Sequence, residues 1–114
     1  MKLLSMFSRI FLPGMSDNNA MKPEHARQIQ ECIDLDTFNQ ETLCSGESWM
    51  APSASEVNVV RALIPLTDIQ LANRLDVDER TIRKWKSGQT QMVFTTWCCL
   101  CWLAGLGMLI EEPT

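Results

Sequence analysis

The chain has 114 residues, of which 46% are hydrophobic and 21% charged, with a formal net charge of −4 and a pI near 4.9. That is enough for one small core plus an appendage, and such cores are marginal alone, so pairing with a second copy would help by burying more apolar surface. An odd count of five cysteines, three of them within residues 98–101, argues against a secreted disulfide scaffold and for a reducing cytosol.

Charge is spread unevenly. Residues 1–60 carry net −4, residues 61–88 net +2 and residues 89–114 net −2. The acidic total therefore hides a basic region, and local field decides partner choice. No nucleophile–base pair, phosphate loop or metal cluster is visible, so nothing points to an enzyme, a cofactor or a metal. The cysteine cluster reads as small buried apolar side chains, since it lacks a C-x-x-C pair and the one histidine, His25, is distant.

Residues 1–22 read as a flexible leader. MKLLSMFSRIFLPG resembles a signal peptide only loosely, because Arg9 interrupts a short apolar run and no cleavage site follows. Met15 and Met21 are alternative in-frame starts. Residues 23–50 form an N-terminal extension, helical or partly disordered. Pro23 opens a helix with Ala26, Ile29, Cys32 and Ile33 on one face. Asp36 is placed to cap a second short helix, TFNQETL, turning Phe38 and Leu43 inward, and SGES at 45–48 signals a turn.

Residues 51–114 form the better-organised domain. Ser53 and Glu56 fit a capping box ahead of an apolar stripe of Val57, Val60, Leu63 and Ile64, and Pro65 limits that helix. Thr67 and Gln70 form a second capping-box match, followed by Ile69, Leu71, Ala72 and Leu75. A polar break containing Val77 follows, then Asp78 as N-cap of a helix, ERTIRKWKS, that stops at Gly88. The last helix runs from about Thr95 or Thr96 to Ala104, and LGMLI reads as a strand or an extended tail.

Two helices joined by a short break at 67–87 are the helix-turn-helix pattern. Ala72 is small where the helices cross, Val77 plugs the gap from the turn, and Ile82 and Trp85 dock the second helix. Its other side presents Glu79, Arg80, Arg83, Lys84 and Lys86, a surface able to enter the major groove.

The stretch LTDIQLANRLDVDERTIRKWKSG resembles the Xre/Cro-type helix-turn-helix of phage repressors and related plasmid and integrative-element regulators. Leu66, Thr67, Leu71, Ala72, Leu75, Val77, Thr81, Ile82, Trp85 and Gly88 match that pattern without a gap; residues 1–50 lie outside it. The resemblance implies an all-α, lambda-repressor-like helix-turn-helix bundle. It implies that Asp78, Glu79, Arg80 and Lys84 read bases, and that Thr67, Thr81, Arg83, Lys86 and Ser87 hold the DNA backbone. The motif core is then Leu71, Ala72, Leu75, Val77, Ile82 and Trp85. The family usually has glycine where Asp76 stands, a position expected to need φ > 0, which aspartate tolerates better than most residues. In related repressors the residue at the site of Asp68 meets the DNA backbone, and an acid there is expected to forgo that contact.

Residues 92–110 carry no charge and are just long enough to span a bilayer. Thr95, Thr96, Gly105 and Gly107 weaken a span, so the segment is expected to close the core and to pair two subunits through Trp102, Leu106, Met108 and Leu109. The expected function is a cytoplasmic, dimeric repressor or autoregulator of a mobile-element operon, binding a pseudo-palindromic operator in double-stranded DNA. The alternatives are an antitoxin or protein-interaction scaffold acting through residues 16–50, and a membrane-anchored DNA-binding regulator.

Overall fold

The computed structural model describes residues 22–107 and 109. Among the described residues five α-helices follow one another: α1 (Pro23–Asp34), α2 (Ala54–Ala62), α3 (Asp68–Leu75), α4 (Glu79–Ser87) and α5 (Phe94–Leu103). Two short 3-10 turns, Gln40–Leu43 and Gly46–Ser48, lie between α1 and α2. Among the described residues there is no strand. The fold is an all-helical bundle with α3, a three-residue turn and α4 as its helix-turn-helix.

The apolar spacing of α1 places Ala26 and Ile29 in the core, with Cys32 and Ile33 packed against it. Phe38 and Leu43 are buried, but TFNQETL is not a second α-helix. Asp36 does not cap it: with φ 60° it terminates α1 instead. The Asp36 N–H donates to Ile33 O at 3.0 Å and the Thr37 N–H to Cys32 O at 2.9 Å, the paired bonds of a Schellman ending. Asn39 starts the next turn, accepting from the Glu41 N–H at 3.0 Å.

The Glu56 carboxylate accepts from the Ser53 N–H at 2.7 Å and the Ser53 hydroxyl at 2.8 Å through one oxygen. Its other oxygen accepts from the Asn39 N–H at 3.1 Å, so the side chain that starts α2 also anchors the preceding segment.

Helix α5 has no charged residue and is apolar around most of its circumference, with Thr95 and Cys99 left exposed. Trp97, Leu100, Cys101 and Cys98 are buried. The Trp97 Nε1–H donates to Thr42 O at 2.8 Å, a buried bond across 55 residues of sequence. Trp49 meets Phe94 edge to face, with ring centroids 5.3 Å apart. At the far end, His25 Nδ1 donates to Ala104 O at 2.7 Å and the Lys22 N–H to Gly105 O at 2.6 Å, so α1 supplies partners for the last carbonyls of α5. Gly105 takes φ 81°, and a Cβ there would lie 2.9 Å from Lys22 Cγ.

This turn at Gly105 carries the chain back into its own core. Leu106 and Leu109, expected on an outer face, are buried within the same chain. Trp102 is half-buried, and Met108 lies outside the described residues, as does the leader 1–21. No described helix is long and apolar enough to cross a membrane. Burial pushes the Cys98 thiol up to about 11, with a further push from Cys99, and raises Cys101 well above the ordinary value. Both therefore stay protonated and unreactive at neutral pH.

Replacing Trp97 by Phe removes the indole donor that satisfies Thr42 O and thins the centre of the core. The expected loss is about 2–4 kcal/mol, combining an orphaned carbonyl and lost volume. Urea unfolding followed by far-UV circular dichroism measures it. Trp102→Phe, at a half-buried position, is expected to cost less than about 1 kcal/mol.

Candidate DNA-binding surface

Helix α3 begins with a reciprocal capping box. The Gln70 N–H donates to Thr67 Oγ1 at 3.2 Å, and the Thr67 N–H donates to Gln70 Oε1 at 2.9 Å. The helix ends at Asp76, with φ 56° and ψ 46°. The Val77 N–H donates to Ala72 O at 3.0 Å and the Asp76 N–H to Asn73 O at 3.4 Å, again a Schellman ending. The aspartate thus takes the left-handed role that glycine usually fills, at a local cost of about 1 kcal/mol.

Asp78 caps α4 by accepting from the Arg80 N–H at 2.8 Å. That bond occupies one carboxylate oxygen. Ile82 and Trp85 lie buried against Leu71 and Ala72, while Leu75 and Val77 sit half-buried at the edge of the same cluster. Gly88 stops α4 with φ 81°, and a Cβ there would lie 3.3 Å from Ala54 Cβ on α2. Asn58 on α2 donates to Lys86 O at 2.8 Å, so α2 also holds the C-terminal end of α4.

Docking Ile82 and Trp85 leaves Arg80, Arg83 and Lys84 on the exposed side. Glu79 lies 3.7 Å from Arg83, one turn on, an exposed pair of little energetic weight. Thr67 and Ser87 are exposed and Thr81 is half-buried. The Thr67 hydroxyl is engaged in capping, and the Ser87 hydroxyl donates to Lys84 O at 3.1 Å. The basic surface of α4 is therefore continuous over Arg80, Arg83 and Lys84, and Lys86 is set apart from it.

Lys86 is held by Asp68. Its Nζ lies 3.1 Å from Asp68 Oδ2, while Arg61 Nε and Nη2 lie 3.1 and 3.0 Å from Oδ1. Arg61 also donates to Ile64 O at 3.1 Å and to Leu66 O, closing the turn between α2 and α3. Nothing in the sequence pattern indicated this triad, because its members are 7 and 18 residues apart and sit on three helices or their ends. Burial alone would raise the Asp68 pKa, but the hydrogen bonds and charges of Lys86 and Arg61 outweigh it and hold the carboxyl below 3.8.

At the C-terminal end of α3, Arg74, Leu75, Thr95, Cys98, Cys99, Trp102 and Leu103 line an apolar groove of about 390 Å³. Among the described residues no group of three or more histidine, cysteine, aspartate or glutamate side chains is placed to hold a metal ion.

The lowered Asp68 pKa has a stability consequence with a definite sign. A depressed folded-state value favours the folded chain above the ordinary pKa of 3.8, and that contribution is lost as pH falls through the folded value. Asp68→Asn is therefore expected to be less stable than the parent at pH 7, with the difference shrinking below about pH 4. Urea midpoints measured from pH 7 to pH 3 check this; a difference that stays constant would show that the carboxylate charge is not what stabilises.

Neither a family model nor a solved structure matches the chain. Among curated proteins, the transcriptional repressor protein KorC of Escherichia coli is 37% identical over 75 residues, covering 63% of this chain and 88% of the relative. A second Escherichia coli protein of the same description is 33% identical over 72 residues, covering 60% of this chain and 85% of the relative. At that identity, and with most of each relative's length matched, the chain belongs to the family of the KorC transcriptional repressor proteins.

Proposed function

We propose that the chain is a sequence-specific DNA-binding repressor or autoregulator of the Xre/Cro type, serving a mobile-element operon and reading the major groove with α4. The observation that carries this is the exposed basic surface of α4 on a helix whose opposite face is buried by Ile82 and Trp85. Its kinship with transcriptional repressors supports the same reading.

In this reading Arg80, in the first turn of α4, pairs with guanine O6 and N7, and Lys84 reaches a base or phosphate one turn later. Glu79 is the acceptor candidate for cytosine N4, and Asp78 sets the helix start. Arg83, Thr81 and Ser87 hold phosphates, joined by Thr67 at the start of α3. The chain acts as a dimer on a pseudo-palindromic operator, with half-sites about one helical turn apart. The burial of Leu106 and Leu109 shifts the expected subunit contact to the groove bordered by Trp102, Leu103 and Cys99. A partner-binding arm at residues 16–50 has less support, because within it Ala26, Ile29, Phe38 and Leu43 face the chain's own core.

Footprinting over the gene's own upstream region tests the reading, with protection of a two-fold symmetric site expected. Arg80→Ala is expected to weaken operator binding by about 1–3 kcal/mol, roughly 5- to 150-fold, while random duplex is affected far less. Equal losses on both duplexes would remove Arg80 from base reading. For the dimer, Trp102→Glu is expected to shift sedimentation toward the monomer and weaken operator binding at low protein concentration.

A further inference from the structure

The Arg61–Asp68–Lys86 triad ties a lysine of α4 to the turn between α2 and α3. Arg61 binds Asp68 through two nitrogens and ties both to Ile64 O and Leu66 O, which accounts for the turn between α2 and α3. The end of α4 is held separately, through Asn58 and the Lys86 carbonyl. The Lys86 side chain is 37% exposed, and its Nζ nonetheless lies 3.1 Å from Asp68 Oδ2. The carboxylate itself is the first residue of α3, where the free N–H groups of a helix otherwise attract phosphate.

We propose that Asp68 is a charge brake on DNA binding: by holding Lys86 at the N-terminal end of α3, it keeps this lysine from neutralising a phosphate. This rests on the reading of α4 as the DNA-binding helix. A phosphate that approaches Lys86 Nζ to about 3 Å comes within about 6 Å of the carboxylate, and since Coulomb energy falls as 1/r, that repulsion offsets part of the attraction, about half before the more distant Arg61 guanidinium on Asp68 Oδ1 is counted. The brake acts on the sequence-independent part of affinity and leaves base reading by Arg80 and Lys84 alone. Its consequence is that less repressor is held on the large excess of non-specific sites.

The test compares the full chain with Asp68→Asn, Lys86→Ala and the double variant, by fluorescence anisotropy on an operator duplex and a random duplex between about 50 and 200 mM salt. Far-UV circular dichroism establishes that each variant is folded. Asp68→Asn is expected to bind both duplexes more tightly by the same factor. Each extra phosphate neutralised adds about −0.9 to the slope of log K against log salt, so the variant loses about threefold more affinity than the parent over this range. In the Lys86→Ala background the same substitution is expected to leave the slope unchanged. Weaker binding by folded Asp68→Asn, or the same steepening without Lys86, overturns the brake. If Asp68→Asn does not fold, Lys86→Ala alone decides: a slope close to the parent's supports the brake, and a slope flatter by about 0.9 overturns it. A parent chain that binds neither duplex overturns the DNA-binding reading and the brake with it; a parent that binds while Asp68→Asn matches it overturns the brake alone.

Discussion

Helix α5 carries no charge, and the rest of the molecule is arranged to cover most of it, leaving Thr95 and Cys99 on the open groove. Its central residue, Trp97, is fully buried and donates its indole N–H to the carbonyl of Thr42. That bond satisfies two polar groups that would each be costly to bury alone, and it joins the first third of the chain to the last helix. The start of α1 repeats the arrangement at the other end, where His25 and Lys22 supply donors for Ala104 and Gly105. Residues 22–44 and α5 therefore form one structural unit with the helix-turn-helix, around one continuous core.

On that core the helix-turn-helix is held by local backbone chemistry as much as by packing. A capping box starts α3, a left-handed aspartate ends it, and Asp78 starts α4 two residues later. Together these determine where Ile82 and Trp85 point. Once they are buried, the 3.6-residue period obliges Arg80, Arg83 and Lys84 to face solvent. The electrostatics then separate into two groups. Three cations are free or weakly paired on α4, and a fourth, Lys86, is coupled through Asp68 to the α2–α3 turn. An acidic chain can in this way carry a basic surface of limited extent, which favours weak, salt-sensitive association with DNA in general.

Helix starts and stops were the most legible features, because they rest on interactions between residues three or four apart. Thr67 with Gln70, Ser53 with Glu56, Asp78 and Gly88 can be read from spacing alone, and the left-handed position at Asp76 follows from the resemblance to the family pattern. Where a local reading went astray, a tertiary partner was responsible. Asp36 has the composition of an N-cap, yet it ends α1, and Asn39 takes the capping role next to Glu56 of a different helix. Leu106 and Leu109 look surplus in sequence because nothing local shows that the turn at Gly105 returns them to the core.

By itself the sequence determined the helical class, the helix-turn-helix with its two-faced α4, and the caps that start α2, α3 and α4 and stop α4, since all of these follow from periodicity and short-range hydrogen bonding. Only the tertiary structure decided that residues 23–44 belong to the same core, which apolar residues near the C-terminus remain at the surface, and which cations are free. The reason is that burial and ion pairing depend on distances between elements far apart in sequence. The Asp68–Lys86 pair, at 3.1 Å across 18 residues, exists only because α3 and α4 cross where they do.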